Sequence, residues 1–339
     1  MDRLIALEIL LKYKQEQSYL NLTINTYFQH HNLTKEQKDF ITRVVYGTVQ
    51  NMLYLEYQLA PFIKGRVKAY EKMLLLMSLY QHYFMNSIPS YAIVNEAVNL
   101  AKQKKGMKTA KFINAVLKKA MQEKRSLDDL SQIERLSIET SHPLWMVNMF
   151  VKQYGYLKAS KICYANNEVP YKTARVNTLK ITREQLLENP KWKLAKLSED
   201  GLYYEGGNIA FSNEYKQGYV TIQDESSQLV ARLLNPTKKD RVLDMCCAPG
   251  GKTTHLAMLM ENQGRIDAFD LYEHKIGLVQ VHLERLGIQN VSLKAYDALK
   301  LCDLYEAESF DKILLDAPCS GFGVMARKPE IKYHDSSAM

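Results

Sequence analysis

Apolar residues recur at helical spacing through residues 1–125, and beyond them the period changes twice. Leu4, Leu7 and Leu11 share one face of a first helix. Thr34-x-x-Gln37 forms a capping box ahead of Phe40, Ile41, Val44 and Val45, which predicts a helix start. Further stripes run through Tyr70, Met73, Leu74, Met77 and Tyr80, then Ile93, Ala97, Leu100 and Ala101, then Phe112, Ile113, Val116 and Leu117. Gly47, Pro61, Gly65, Pro89 and Gly106 are expected to fall between the stripes. The tyrosines and methionines are read as core, because helical spacing is what core packing requires. Residues 1–125 are thus expected to form an all-α domain.

Ser126–Thr140 reads as a polar connector. Ser141-His142-Pro143-Leu144-Trp145 then opens a helix, with Pro143 in its first turn, that runs to Gly155. His142 has no partner motif near it in sequence and is assigned to the helix start. A strand at Thr173–Val176, a helix capped by Thr182-x-x-Gln185, and strands near Lys191–Leu197 and Gly201–Tyr204 make residues 126–217 a linker helix and a small α+β domain. From residue 218 the pattern alternates. Gly218–Leu234 reads as strand and helix, followed by a strand at Arg241, a helix from Lys252, a strand to Asp270 and a helix over Tyr272–Leu286. Strands at Val291–Tyr296 and Phe310–Leu315 complete what is legible. Residues 218–339 are expected to be an incomplete α/β, Rossmann-like domain, a half-built doubly wound sheet ending in an apparent loop at Met339.

The chemistry gathers at Arg241–Thr254, RVLDMCCAPGGKTT. A buried strand, a Gly-rich turn and a helix N-terminus form a crevice in which free N–H groups meet a ligand. About 20 residues past the glycines, RIDAFD ends in Asp270, the distance at which such folds offer a carboxylate to ribose hydroxyls. A nucleoside-bearing cofactor is expected. A phosphate-cradling loop would need glycine where Cys246 stands, and G-x-G-x-x-G is absent.

Composition adds little except in its distribution. At 46% apolar and 24% charged residues the chain is globular, and no apolar run approaches the roughly 20 residues of a membrane span. The first 14 residues carry Asp2 and Glu8 inside their apolar pattern, so they read as helix and not as a signal peptide. Five cysteines without paired zinc-ligand spacing point to free thiols, a cytoplasmic protein and no metal. Residues 1–125 hold 19 Lys and Arg against 9 Asp and Glu, a net of +10, whereas the rest has a net of −2. Lys102, Lys104, Lys105, Lys108 and Lys111 crowd one short stretch. A solvated helix face is the plain reading; a phosphate-contacting RNA surface is favoured because of the motifs that follow.

DxCxAPGGKT at Asp244–Thr253, followed by Asp316-Ala317-Pro318-Cys319-Ser320-Gly321, resembles the RNA cytosine-C5 methyltransferases of the RsmB/Nop2/Sun family. PSYAIVNEAVNLAKQKKGMKTAKFINAVLKK resembles the NusB family of helical RNA-binding proteins, which occurs at the N-terminus of RsmB-type enzymes. These resemblances imply methylation of 16S ribosomal RNA with S-adenosyl-L-methionine as cofactor, and a monomer. They also imply that the module holding Arg175-Val176-Asn177 is RRM-like. By resemblance Cys246, Cys247, Ala248, Pro249, Gly250, Gly251 and Lys252 cradle the methionine end of the cofactor. Asp270 takes the ribose, Asp297 lies near the adenine and Asp316 lines the junction of cofactor and base. Cys319 matches the family cysteine that assists product release. Read as residues alone, Cys246, Cys247 and Cys302 are small apolar filler.

One departure stands out. The family's attacking cysteine lies in a later Thr-Cys motif, and no Thr-Cys pair occurs here. The chain is therefore expected to be a truncated or interrupted form that does not turn over by the family mechanism. Three other readings stay open: attack by Cys319 itself, a catalytically dead RNA-binding fragment, and a nucleotide hydrolase built on GGKT.

Overall fold

The computed structural model describes residues 1–16 and 19–333; the terminal loop expected up to Met339 ends outside the described residues. The chain forms two compact units, Met1–Val169 together with the segment from Ser320, and Pro170–Cys319.

The first unit is helical: α1 Asp2–Glu16, α2 Leu20–His30, α3 Lys35–Gln50, α4 Met52–Leu59, α5 Ala69–Phe84, α6 Ser90–Lys105, α7 Met107–Gln122, α8 Gln132–Thr140, α9 Leu144–Tyr154 and α10 Tyr156–Ala165. The stripes build its core: Leu7, Ile41, Val44, Leu74, Ala101, Ile113 and Leu117 are all fully buried in one cluster. The capping box is present as read, with Gln37 N–H on Thr34 Oγ1 at 3.3 Å and Thr34 N–H on Gln37 Oε1 at 2.9 Å. Gly47 corrects the expectation that glycines separate stripes. It lies inside α3, and a Cβ there would stand 1.9 Å from the Tyr80 ring of α5. Its missing side chain is what lets the two helices approach.

The expected connector is half helix. Ser131 and Glu134 form a second capping box at the start of α8, with Leu136 buried beneath. Gly155 ends α9 and α10 follows at once, a helix the alternating pattern does not reveal. Pro143 caps α9 and does not stand in its first turn. His142 is fully buried, with Nδ1 2.9 Å from the Thr140 carbonyl oxygen; burial drives its pKa down to about 3, and the charge of Lys332 adds to this. Residues 320–333, expected in the catalytic domain, pack in the helical unit. Met325 and Ile331 join the core of Leu136, Met146 and Phe150. Glu330 Oε1 accepts the Leu20 N–H at 3.1 Å, and Lys332 Nζ donates to Asn167 Oδ1 at 2.6 Å and to the Thr140 carbonyl at 3.2 Å.

The second unit holds two sheets. Strands β1 Thr173–Val176, β2 Trp192–Leu194, β3 Gly201–Tyr204 and β4 Val220–Ile222 form an antiparallel sheet in the order β2-β3-β1-β4, flanked by α11 Arg183–Leu187 and α12 Asn213–Lys216. The sequence pattern assigns β4 to the start of the catalytic domain; its register, Ala174 opposite Ile222 and Val176 opposite Val220, places it in the small sheet. After α13 Glu225–Leu234 come β5 Arg241–Asp244, α14 Gly251–Leu259, β6 Arg265–Asp270, α15 Glu273–Leu286, β7 Val291–Ala295 and β8 Lys312–Leu314. These strands are parallel, in the order β7-β6-β5-β8. The order reverses at β5, so the crevice of an open α/β sheet falls at its carboxyl end. Val242, Ile266, Leu256, Val279 and Leu283 fill the core beneath.

Candidate active site

Asp244 ends β5 with its carboxylate buried, accepting from Thr253 Oγ1 at 2.7 Å and from Cys246 N–H at 3.3 Å. Burial lifts its pKa to about 6 against the pull of those hydrogen bonds. The turn is tied down by Cys247 N–H on the Phe269 carbonyl and Gly250 N–H on the Cys247 carbonyl, both at 2.7 Å. Gly250 has φ +100°, and a Cβ on it would lie 3.1 Å from Val279 Cγ1. The backbone angle calls for glycine there, and a Cβ would also press on Val279. Gly251 then opens α14, whose first N–H groups have no partner within the helix.

Around this turn the other strand ends bring acids. Lys252 Nζ pairs with Asp316 Oδ2, beyond β8, at 2.5 Å. Asp270, at the end of β6, is mostly buried, accepts the Tyr272 N–H at 3.3 Å and lies 3.6 Å from Lys275 Nζ. Tyr296 N–H donates to the Asp270 carbonyl at 2.9 Å, which brings Asp297 to the same end of the sheet. There the Asp297 carboxylate caps a short 3-10 turn, accepting the Leu299 N–H at 3.0 Å. Burial raises the Cys246 thiol pKa, and the field of Asp244, Asp270 and Asp316 raises it further. Cys247, buried against the sheet, is pushed well above the ordinary thiol range, chiefly by burial. Neither thiol is placed to become a thiolate. Cys319 is exposed; so is Cys302, which corrects its reading as apolar filler.

The donor set fits a sulfonium cofactor. Three carboxylates act on one thiol at the mouth of the turn, with Lys275 opposing them in part, a balance that favours a cation over a phosphate. The partly buried Lys252 is already engaged by Asp316. That arrangement argues against the nucleotide-hydrolase reading of GGKT.

The sequence assigns no site role to some residues of this region. Arg175 in β1, Gln223 after β4 and Thr254 in α14 meet in one buried network. Asp200 is clamped by Arg232 Nε at 2.7 Å and lies 2.9 Å from His255 Nε2. Burial opposes the charge on Asp200, but the bonds from His255 and Arg232 overcome it and hold the carboxyl below its usual range. Burial drives His255 down to about 4, with Arg175 assisting. Only the RVN motif gives a sign of this network.

The five lysines lie on the helical unit. Lys102, Lys104 and Lys105 occupy the last turn of α6 and Lys108 the first turn of α7, with Lys111 one turn on, and all are exposed. Lys104 faces Glu8 at 3.6 Å, and Lys105 Nζ lies 5.5 Å from the centre of the Tyr70 ring. Among the described residues no cluster of His, Cys, Asp and Glu could hold a metal ion, and no helix is long and apolar enough to cross a membrane.

Known proteins match the chain along nearly its whole length. Residues 1–122 match the NusB family, residues 142–201 a ferredoxin-like domain of RsmF/B-like methyltransferases, and residues 231–338 the 16S rRNA methyltransferase RsmB/F model. These matches, on a Rossmann-like fold, define the class: an rRNA methyltransferase that uses S-adenosylmethionine. A probable ribosomal RNA small subunit methyltransferase B of Bacillus subtilis is 42% identical over 97% of this chain and 76% of its own length. One from Synechocystis is 30% identical over 99% of this chain and 78% of its own. The chain belongs to the RsmB/F family of 16S rRNA methyltransferases. The crystal structure of PH0851 shares its fold, with a TM-score of 0.77 over 97% of this chain and 76% of that one at 22% identity.

Proposed function

We propose that this protein serves methylation of C5 of one cytosine in 16S rRNA, with its cofactor at the carboxyl ends of β5 and β6 and its target base beside Asp316 and Cys319. The observation that carries this reading is the Lys252–Asp316 pair, which joins the cofactor turn to the segment bearing Cys319. Bound in the crevice, S-adenosylmethionine supplies an electrophilic methyl group on sulfur. Asp270 would accept the ribose hydroxyls, the Gly250-Gly251 turn the amino-acid end, and Asp297 would lie near the adenine.

C5 of cytosine is a poor nucleophile, so the reaction needs a cysteine thiolate to add to C6 while an acid supports N3. C5 then takes the methyl, a base removes the C5 proton, and the thiolate leaves as the 5,6 double bond re-forms. The base must be unstacked to reach the pocket, which favours a single-stranded or locally opened site. Cys319 is assigned to the release step. No Thr-Cys pair is present to supply the attacking thiolate, which favours a second reading for the 339-residue chain: binding of cofactor and rRNA without turnover. The lysines of α6 and α7 are the proposed phosphate contacts. Lys108 sits against the positive end of the α7 dipole, an arrangement that a bound phosphate would relieve. The protein is proposed to act as a monomer in the cytoplasm.

Denaturing electrophoresis with labelled 16S rRNA fragments tests this. The 339-residue chain is expected to bind RNA and cofactor yet form no covalent adduct and transfer no methyl group. Robust transfer by this chain, abolished in Cys319→Ala, would make Cys319 the nucleophile.

A further inference from the structure

Arg175 belongs to β1 of the antiparallel sheet, yet its guanidinium is buried at the head of α14. Nη1 donates to the Gly251 carbonyl at 2.6 Å and to Gln223 Oε1 at 2.5 Å, and Nη2 donates to Thr254 Oγ1 at 2.9 Å. Thr254 Oγ1 in turn donates to the Gly250 carbonyl at 2.8 Å. One side chain therefore holds both glycines of the cofactor turn from behind.

Every acceptor it touches is neutral. Burial lowers the guanidinium to about 9, with Asp200 opposing that fall through space, so it keeps its charge at neutral pH. A buried cation without a carboxylate in contact is unfavourable, and one beneath a helix N-terminus also opposes the macrodipole. A neutral hydrogen-bonding side chain could hold the turn without either penalty. What the charge adds is positive potential at the first N–H groups of α14, where an anion is bound best. Asp244, Asp270 and Asp316, against Lys252 and Lys275, leave the rest of the crevice with an excess of acid. The crevice is thus bipolar, as a cofactor with a carboxylate beside an ammonium and a sulfonium requires.

We propose that Arg175 is a positioning residue for the cofactor: its fork fixes the Gly250-Gly251 turn, and its charge makes that turn selective for the α-carboxylate of the amino-acid end. This rests on the cofactor placement proposed above. Calorimetry on the 339-residue chain compares S-adenosylhomocysteine, which carries the carboxylate, with 5′-methylthioadenosine, which lacks the whole amino-acid end. Arg175→Met is expected to weaken S-adenosylhomocysteine about tenfold or more and 5′-methylthioadenosine less than about twofold. Arg175→Lys, which keeps charge but not the fork, should recover part of that preference. Parallel losses for both ligands, or none, overturn the proposal in favour of a structural role. If Arg175→Met lacks a cooperative melt, the ratio of the two affinities in Arg175→Gln, which keeps hydrogen-bonding groups but loses the charge, decides: a lowered ratio supports the proposal and an unchanged one overturns it. Asp270→Ala should weaken both ligands, since both carry the ribose. If it weakens neither, the placement of the site fails, whatever Arg175 does.

Discussion

At the scale of single residues, Asp270, Gly250 and Gly47 each have a local geometry that one substitution tests. Asp270→Ala removes the proposed ribose acceptor, and hydrogen bonds to a charged group contribute about 1.5–3 kcal/mol, so affinity for S-adenosylhomocysteine should fall at least about tenfold. Calorimetry measures this directly. Gly250→Val forces a branched residue into φ +100° and against Val279, so the same titration should show no binding even if the variant still melts cooperatively. Gly47→Ala is the contrasting case. Alanine gains about 1 kcal/mol of helix propensity, but the Tyr80 ring must move, and overpacking costs about 1–3 kcal/mol. A net loss of stability is expected in chemical denaturation, and Tyr80→Leu should relieve it. A double variant no more stable than Gly47→Ala alone would show that the ring is not the obstacle. Asp270 and Gly250 are legible in the sequence because a motif fixes their spacing. Gly47 is not, since its reason lies 33 positions away in Tyr80.

At the scale of elements, the pattern locates the strands and most of the long helices, because each is either amphipathic or wholly buried, but it gives no stripe for α2, α4 or α12. It fails where two elements abut without a polar gap, as at Gly155, and where a capping signal lies inside a stretch dismissed as polar, as at Ser131-x-x-Glu134. Nor can it tell which sheet β4 joins. Three apolar-rich residues fit either one, and register with β1 is a tertiary fact. The Arg175 network is hidden for the same reason, since its partners come from separate segments. The α6–α7 lysines allow a test at this scale. Replacing all five with glutamine should flatten the dependence of RNA binding on salt, by about 0.7–0.9 in logarithmic slope for each phosphate no longer neutralised. Lys104 should contribute least, because Glu8 already faces it. An unchanged slope would leave this face as solvated surface.

For the molecule as a whole, acid should be a specific weakness. His255 is neutral and buried with a pKa of about 4, whereas an unfolded histidine titrates near 6.5. Between those values the unfolded chain binds the extra proton, so stability falls as pH drops from about 6.5 to 4, by on the order of 3 kcal/mol for this group. Asp200, held low in the fold, adds a further loss below about pH 4. His142, likewise buried and neutral with a pKa of about 3, adds to the loss over the same range. His255→Gln should therefore make the profile between pH 6.5 and 4 shallower without abolishing it, as measured by urea midpoints; an equally steep profile in the variant would exclude His255 as a source.

The return of residues 320–333 to the helical unit has a consequence during synthesis. Leu136, Met146 and Phe150 leave the ribosome long before Met325 and Ile331, which complete their cluster. At about 5–20 residues per second, the interval between Val169 and Ile331 lasts roughly 8–30 s. For that time the nascent helical unit presents an unfinished apolar seam, and the whole second unit is made while it is open. A chain arrested after Val169 should therefore bind a hydrophobic dye and a trigger-type chaperone, whereas one arrested well past Tyr333 should bind neither at that seam. Completion of the first unit is timed by the last segment described, so its folding is gated by elongation and not by its own sequence order.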